Sequence, residues 1–370
     1  MAQRTSPDSS GRDLYFHFLS YLAGALLWGF SIVNGSVKGL LLAAWTGELG
    51  NGTALKTKYT GLPFLDYPIG ILVAFFFPGT SGQDEGYQLF VVDAFSAFAV
   101  AFVWLHVEAS RPGPKPKWIT RPAIWAVLWQ LFGAAIILPL YYVIHLRWAS
   151  QNTLPQLSNV DRARALTPAF LLGVVAPTAV VMAPTWVPRS AEAHQTIVTL
   201  FLLSPFWVSG IVMAATRVSA WFSSLSSSTT ARRNKGAATW WVKAVHLQTA
   251  LVSAAAHLYV MYRVFFDPTD PEKVDLARMY VPVPPNGPAG LTDAITSGSW
   301  LFLQFDHIII SLSSLSWALL LLEKTPLGPH LGKAALVLVL LIAALLVGPG
   351  ATVSLALYFR EPHLREDVKE

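Results

Sequence analysis

The chain has 370 residues, of which 54% are hydrophobic and 13% charged, with a formal net charge of +5 and no cysteine; its mean hydropathy is +0.48. A soluble domain carries about a quarter charged residues, so this composition excludes an ordinary water-soluble globule and points to the lipid bilayer as the surroundings. The absence of cysteine excludes disulfides, thiolate metal sites, cysteine-ligated clusters and a cysteine nucleophile, and the placing of Lys and Arg between apolar blocks, with no basic stripe, excludes nucleic acid as a partner.

Residues 1–13 form a polar N-terminal tail. The apolar run Leu14 to Val33 that follows exceeds the roughly 7 to 15 residues of a secretory signal core, so it is read as a first membrane span. Crossing about 30 Å of hydrocarbon at about 1.5 Å per residue needs about 20 apolar residues. Further apolar segments lie at about 66–79, 87–108, 122–145, 168–186, 194–216, 240–262, 299–322 and 333–358. The piece at 66–79 is short and closes at Pro78 and Gly79, which suits a re-entrant or interfacial segment. The predicted fold is all-α, a polytopic transmembrane helical bundle of about eight spans (seven to nine) forming a single domain over residues 14–358, with a charged C-terminal tail at 359–370.

Two basic loops each argue for a cytoplasmic position: Arg111, Lys115, Lys117 and Arg121, and Arg217, Arg232, Arg233 and Lys235. Three crossing segments between them would put them on opposite sides. The conflict is removed if one segment does not cross, and the proline-rich fifth, with Pro168, Pro177 and Pro184, is the expected exception.

An ionisable side chain in hydrocarbon costs on the order of 2.5 to 3.5 kcal/mol, so acids within spans are functional candidates. Three qualify: Asp93, Glu108 and Asp306. Glu108 is either an interfacial carboxylate paired with Arg111, three residues on, or an acid in an apolar pocket that donates a proton. Asp306, followed by Ile308, Ile309 and Ile310, needs a buried partner such as His307 or a backbone donor unless it serves chemistry. If segments four to seven all cross, Glu108 and Asp306 approach the same face and could line one cavity. Asp93, about 22 Å along its helix from Glu108, lies toward the other face.

His106, His246, His257 and His307 read as interhelical hydrogen-bonding groups, and His246 and His257 are about three turns apart, too far to share a metal. The rings of Trp104, Trp300, Phe302 and Phe305 stand near the acids in sequence; they serve packing or offer π faces to a carbocation. No Walker A, dinucleotide, HExxH or GxSxG motif is present. Asp267, Asp270 and Asp275 approach a magnesium-diphosphate motif, but Pro268 and Pro271 interrupt it. No metal or cofactor is implied.

The stretch Val107-Glu108-Ala109-Ser110-Arg111, together with Gln304-Phe305-Asp306-His307 ahead of Ser311-Leu312-Ser313-Ser314-Leu315-Ser316-Trp317-Ala318-Leu319, resembles the membrane-integral terpene cyclases of fungal meroterpenoid pathways. That group includes the ascochlorin, ascofuranone and pyripyropene cyclases, and the resemblance runs from about residue 86 to 325. It implies a metal-free enzyme of secondary metabolism, an isomerase or lyase, that protonates a terminal epoxide or olefin of a farnesyl chain on an aromatic or polyketide head. Glu108 and Asp306 match the family's two essential acids, one the general acid and the other orienting it or taking the final proton; Asp93, His307, Arg111, Trp104, Trp300 and Phe305 are supporting positions. A lipophilic prenylated substrate entering from the bilayer, an endoplasmic reticulum location, and neighbouring pathway enzymes of the same membrane as partners follow from the same resemblance. Two other readings use the same features: a transporter or channel that relays protons through the acids, and a UbiA-type prenyltransferase, which requires two aspartate-rich motifs and magnesium.

Overall fold

The computed structural model describes residues 7–50, 52–151, 154–225, 236–268, 274–284 and 291–365. Apart from two isolated bridge pairs, Glu48 with Ala54 and Pro155 with Arg365, every regular element among them is helical. Helix α1 (Pro7–Gly24) runs through a π-turn (Ala25–Gly29) into α2 (Phe30–Val33), and α3 (Ser36–Thr46) and α4 (Pro63–Thr80) follow. Next come α5 (Glu85–Ser110), α6 (Pro122–Phe132), α7 (Ala134–Gln151), and α8 (Val160–Phe170), which joins α9 (Ala176–Met182) through a second π-turn. The remainder is α10 (Ala191–Leu202), α11 (Ser204–Leu225), α12 (Ala237–Phe266), α13 (Leu276–Tyr280), α14 (Leu291–Leu322), α15 (Leu327–Leu331), α16 (Lys333–Val347) and α17 (Pro349–Arg360). Six of these helical runs are long and apolar enough to cross a membrane, and α10–α11, bent by 54°, makes a seventh if taken as one.

Helix α5 is the central post. Asp84 caps it by accepting the Tyr87 N–H at 2.9 Å, and almost every side chain from Gly86 to Ala109 is buried. Pro112 follows Arg111 and stops the helix. Its two termini name the two ends of the bundle, an Asp84 end and an Arg111 end.

The fourth segment, expected as one span over 122–145, is instead two helices that enter and leave at the Arg111 end. They meet at Gly133, whose φ of 98° suits only glycine. Trp148, near the end of α7, donates its indole N–H to Pro114 O at 3.1 Å, on the loop before α6, and Trp125 meets Tyr141 edge-on at 5.5 Å between the two arms. The ninth segment, 333–358, behaves alike: α16 and α17 meet at Gly348 (φ 86°), Lys333 pairs with Glu323 at the exit of α14, and Glu361 beyond α17 binds Arg111. A long apolar run with one internal glycine satisfies the length test for a span whether it continues or turns back, because both arms remain apolar.

This also resolves the conflict between the basic loops. Arg162 in the first turn of α8 donates to Ser110 Oγ at 2.6 Å, and Ser219 on α11 donates to Asp161 at 2.6 Å, so the loop after α5 and the Arg217 region share the Arg111 end. The segment that fails to reach the other end is the fourth, not the proline-rich fifth. Arg232, Arg233 and Lys235 lie outside the described residues, as do residues 1–6 of the N-terminal tail and 366–370 of the C-terminal one.

Helix α1 lies antiparallel to α7: Arg147 pairs with Asp13 at 2.7 Å, Phe16 meets Tyr142, and Ser20 Oγ donates to Ile136 O at 2.9 Å. Tyr15 and Ser316 share a hydrogen bond of 2.9 Å, which places the last turns of α14 at the Arg111 end. Asp306 therefore sits midway along α14, level with the turn at Gly133.

Candidate functional site

The break at Gly133 exposes the first amides of α7 inside the bundle, where water cannot satisfy them. Asp306 Oδ1 accepts the Ala135 N–H at 2.6 Å. Of the two structural partners considered for Asp306, His307 and a backbone donor, the backbone donor is the one present. The helix N-terminus also presents a partial positive charge to the carboxyl group. Gly133 is required by space as well as by φ, since a Cβ there would stand 2.5 Å from Leu27 Cδ2, 3.3 Å from the Phe302 ring and 3.4 Å from Asp306 Oδ1.

Asp306 lines a cavity of about 300 Å³ and is the one ionisable side chain among the described residues that do so. Nine rings stand in the walls: Trp28, Phe75, Phe76, Phe95, Phe98, Phe102, Trp129, Phe201 and Phe302. They interlock, with Phe102 edge-on to Trp129 at 4.5 Å, Phe75 edge-on to Phe302 at 5.2 Å, Trp28 edge-on to Phe302 at 5.9 Å and Phe95 stacked on Phe201 at 5.4 Å. Such a chamber excludes water and presents π faces. Only Phe302 of these rings was read as a neighbour of an acid in sequence; the rest come from α4, α5, α6, α10 and the π-turn after α1.

Glu108 lies elsewhere. It is 1% exposed, and its carboxylate receives both arms of Arg111, the partner expected three residues on, at 2.9 Å, Arg360 Nη1 at 2.9 Å and His145 Nε2 at 2.9 Å. Arg111 also binds Glu361 at 2.7 and 3.1 Å. Trp317 donates to His145 Nδ1 at 3.1 Å, so His145 carries its proton on Nε2 and donates it to Glu108. Two arginines and two glutamates sum to zero charge, which is what lets four ions remain buried. Although burial opposes its charge, Arg111 is held well above the ordinary arginine range by Glu108 and Glu361. Lys115, just beyond, donates to Ala109 O and Arg111 O and caps the end of α5; burial pushes its ammonium down to about 8.

The expected shared cavity for Glu108 and Asp306 is therefore not formed. His145 and Ala135 are ten residues apart on α7, about 15 Å along its axis, and each acid is bound at a different one of them. The re-entrant fourth segment reverses the parity that would have put the two acids at one face.

Asp93 is paired with His257 Nδ1 at 3.0 Å and receives the Tyr280 hydroxyl at 2.6 Å, toward the Asp84 end as expected. His307 packs edge-on against Phe90, its Nδ1 without a partner. Trp104 donates to Ser354 at 3.0 Å, Trp300 stacks on Tyr87 at 4.8 Å beneath Arg278, and Phe305 stacks on Phe30 at 5.7 Å. None of these five supporting positions, nor Arg111, lines the cavity. His106 and His257 do bond across helices, to Ser209 at 3.1 Å and to Asp93, whereas both nitrogens of His246 lack partners.

Among the described residues no three His, Asp or Glu side chains are gathered to hold a metal ion. Asp275 caps α13 through the Arg278 N–H and Asp267 pairs with Arg263; Asp270 lies outside the described residues.

Long apolar helices are compatible with a membrane protein, and a single acid in an aromatic-lined cavity is suited to proton chemistry on an apolar group. The CtvD domain family matches residues 12–365, so the chain belongs to that family, and the likeness extends well beyond the 86–325 expected from motifs. Among its relatives are "Terpene cyclase DEP1" of Fusarium langsethiae, 28% identical over 94% of this chain and 97% of the relative. "Terpene cyclase ascI" of Acremonium egyptiacum is 26% identical over 85% and 83%, and "Terpene cyclase ctvD" of Aspergillus terreus is 23% identical over 81% and 84%. No solved structure matches.

Proposed function

We propose that this chain is a membrane-integral terpene cyclase in which Asp306 starts the reaction by protonating an epoxide or olefin of a farnesyl chain carried on an aromatic or polyketide head. The observation that supports this reading most is a single carboxyl group in a ring-walled cavity, one oxygen engaged by the Ala135 amide. That bond fixes the carboxyl orientation. When the Asp306 O–H bond breaks, the proton goes to the epoxide oxygen or the olefin carbon, the C–O or π bond opens, and a tertiary cation remains among the rings. The carboxylate left behind sits at the N-terminus of α7, where partial positive charge favours it. Loss of a proton from the final cation closes the balance, so no co-reactant is consumed.

Glu108 has a different role in this scheme. It is saturated by two arginines and a histidine and does not touch the cavity, so it positions α7 and, through α7, the amide that orients Asp306. Asp93, His307, Trp104, Trp300 and Phe305 support the packing around the chamber. The substrate enters laterally from the bilayer, and the endoplasmic reticulum is the proposed membrane.

The test is a microsome assay with a farnesylated phenol epoxide in excess chelator, comparing the native chain with Asp306→Asn. Cyclised product that persists with chelator and vanishes in the variant is expected. Dependence on magnesium would favour a UbiA-type prenyltransferase, and proton flux in liposomes without product would favour a transporter.

A further inference from the structure

The cavity has a second polar pole. On α14 its lining residues recur at helical spacing as Ser299, Phe302 and Asp306, so that Ser299 stands two turns, about 10 Å, from the acid. Ser31 and Ser36 also line the cavity. Here α3 and α14 touch: a Cβ on Gly298 would lie 1.6 Å from Ser36 Oγ, so only glycine permits the approach.

The hydrogen bonds at this pole do not close. Ser36 Oγ is committed to Asn34 Oδ1 at 2.5 Å, but Asn34 Nδ2 has no partner. Neither has Ser299 Oγ, although Ser299 is 1% exposed. Ser31 is 6% exposed. Buried polar groups almost always find partners, so the unmet Ser299 hydroxyl on the wall of a largely apolar chamber calls for an explanation. A ligand that supplies oxygen at this spot is the simplest one.

Resting on the cyclase reading, we infer that this pole is a hydrogen-bonding subsite for a neutral, oxygen-bearing head group, a phenolic hydroxyl or ring carbonyl, of the substrate whose far end meets Asp306. The Ser299 hydroxyl donates to such an oxygen or accepts from such a hydroxyl. No Lys or Arg among the described residues lines the cavity, so a diphosphate has no counter-charge there. The chamber thus selects a molecule that is apolar in its middle and polar at one end. It also sets which end of the prenyl chain lies at the acid.

The experiment reads binding, not turnover. The full chain in detergent is titrated with farnesylresorcinol and with farnesylbenzene, following the change in tryptophan fluorescence, to which Trp28 and Trp129 on the cavity wall contribute. The native chain is expected to prefer the resorcinol by about tenfold, the worth of one well-placed hydrogen bond. Ser299→Ala should shrink that preference to within about twofold and leave farnesylbenzene binding unchanged. Ser31→Ala, on a different helix, gives a second reading if the first variant folds poorly. Equal affinities in the native chain, or equal weakening of both ligands by the variants, would overturn the inference. Failure of the cyclase reading shows separately, as absence of product from native microsomes.

Discussion

Glu108 and Asp306 hold opposite ends of one helix: Glu108 accepts from His145 near the C-terminus of α7, and Asp306 accepts from Ala135 at its N-terminus. About 15 Å of helix separates the two contacts. The arrangement divides the labour between the acids, because only Asp306 reaches the chamber and only Glu108 is saturated by arginine.

Asp306→Asn separates chemistry from architecture. The asparagine Oδ1 can still accept the Ala135 N–H, so the end of α7 stays capped and stability should fall by less than about 1 kcal/mol. The proton is gone, however, and a positioned acid contributes at least about a hundredfold. Activity loss of that size at unchanged melting temperature is expected. A loss under about tenfold would remove Asp306 as the acid.

Glu108→Gln should do the reverse. It strips a buried carboxylate from Arg111 and Arg360, and breaking such a pair costs about 3 to 5 kcal/mol. A lowered melting temperature in detergent is expected, with activity tracking the folded fraction and the pH profile of the surviving enzyme unchanged. Should the variant melt like the native chain and yet be inactive, Glu108 would be restored to the chemistry.

How much of this was readable in advance follows residue by residue. Asp306 stood out because an acid before Ile308, Ile309 and Ile310 violates the apolar pattern, and the Glu108–Arg111 pair was visible at helical spacing. The level of the two acids was not readable, because it depends on whether the run 122–145 passes Gly133 straight or turns there, and hydropathy is identical in both cases. Arg360 and Glu361 looked like the start of a solvated tail; the return of α17 to the Arg111 end is what buries them. The cavity walls draw on Trp28, Phe75 and Phe201, whose proximity arises from packing between distant segments and leaves no periodic trace.

Gly133→Ala tests the turn itself. A non-glycine residue at that φ costs on the order of 1 to 3 kcal/mol, and the new Cβ also strikes Leu27. Both stability and turnover should fall. Adding Leu27→Ala removes the clash but not the backbone strain and loses buried packing of its own, so a double variant less destabilised than the sum of the two single variants is expected. Strict additivity would mean that the close approach at Leu27 is not the source of the cost.

Phe302→Ala tests the wall. This ring meets Phe75 and Trp28 edge-on and stands one turn from Asp306, so its loss opens the chamber next to the nascent cation. Protonation should continue, but water then competes with the next double bond for the cation, and a larger share of hydroxylated or prematurely quenched product should be seen by mass spectrometry. Phe305→Ala is the control. That ring stacks on Phe30 outside the cavity, so its removal should cost stability and leave the product ratio as it was; a changed ratio from Phe305→Ala, with none from Phe302→Ala, would place the cation somewhere other than this chamber.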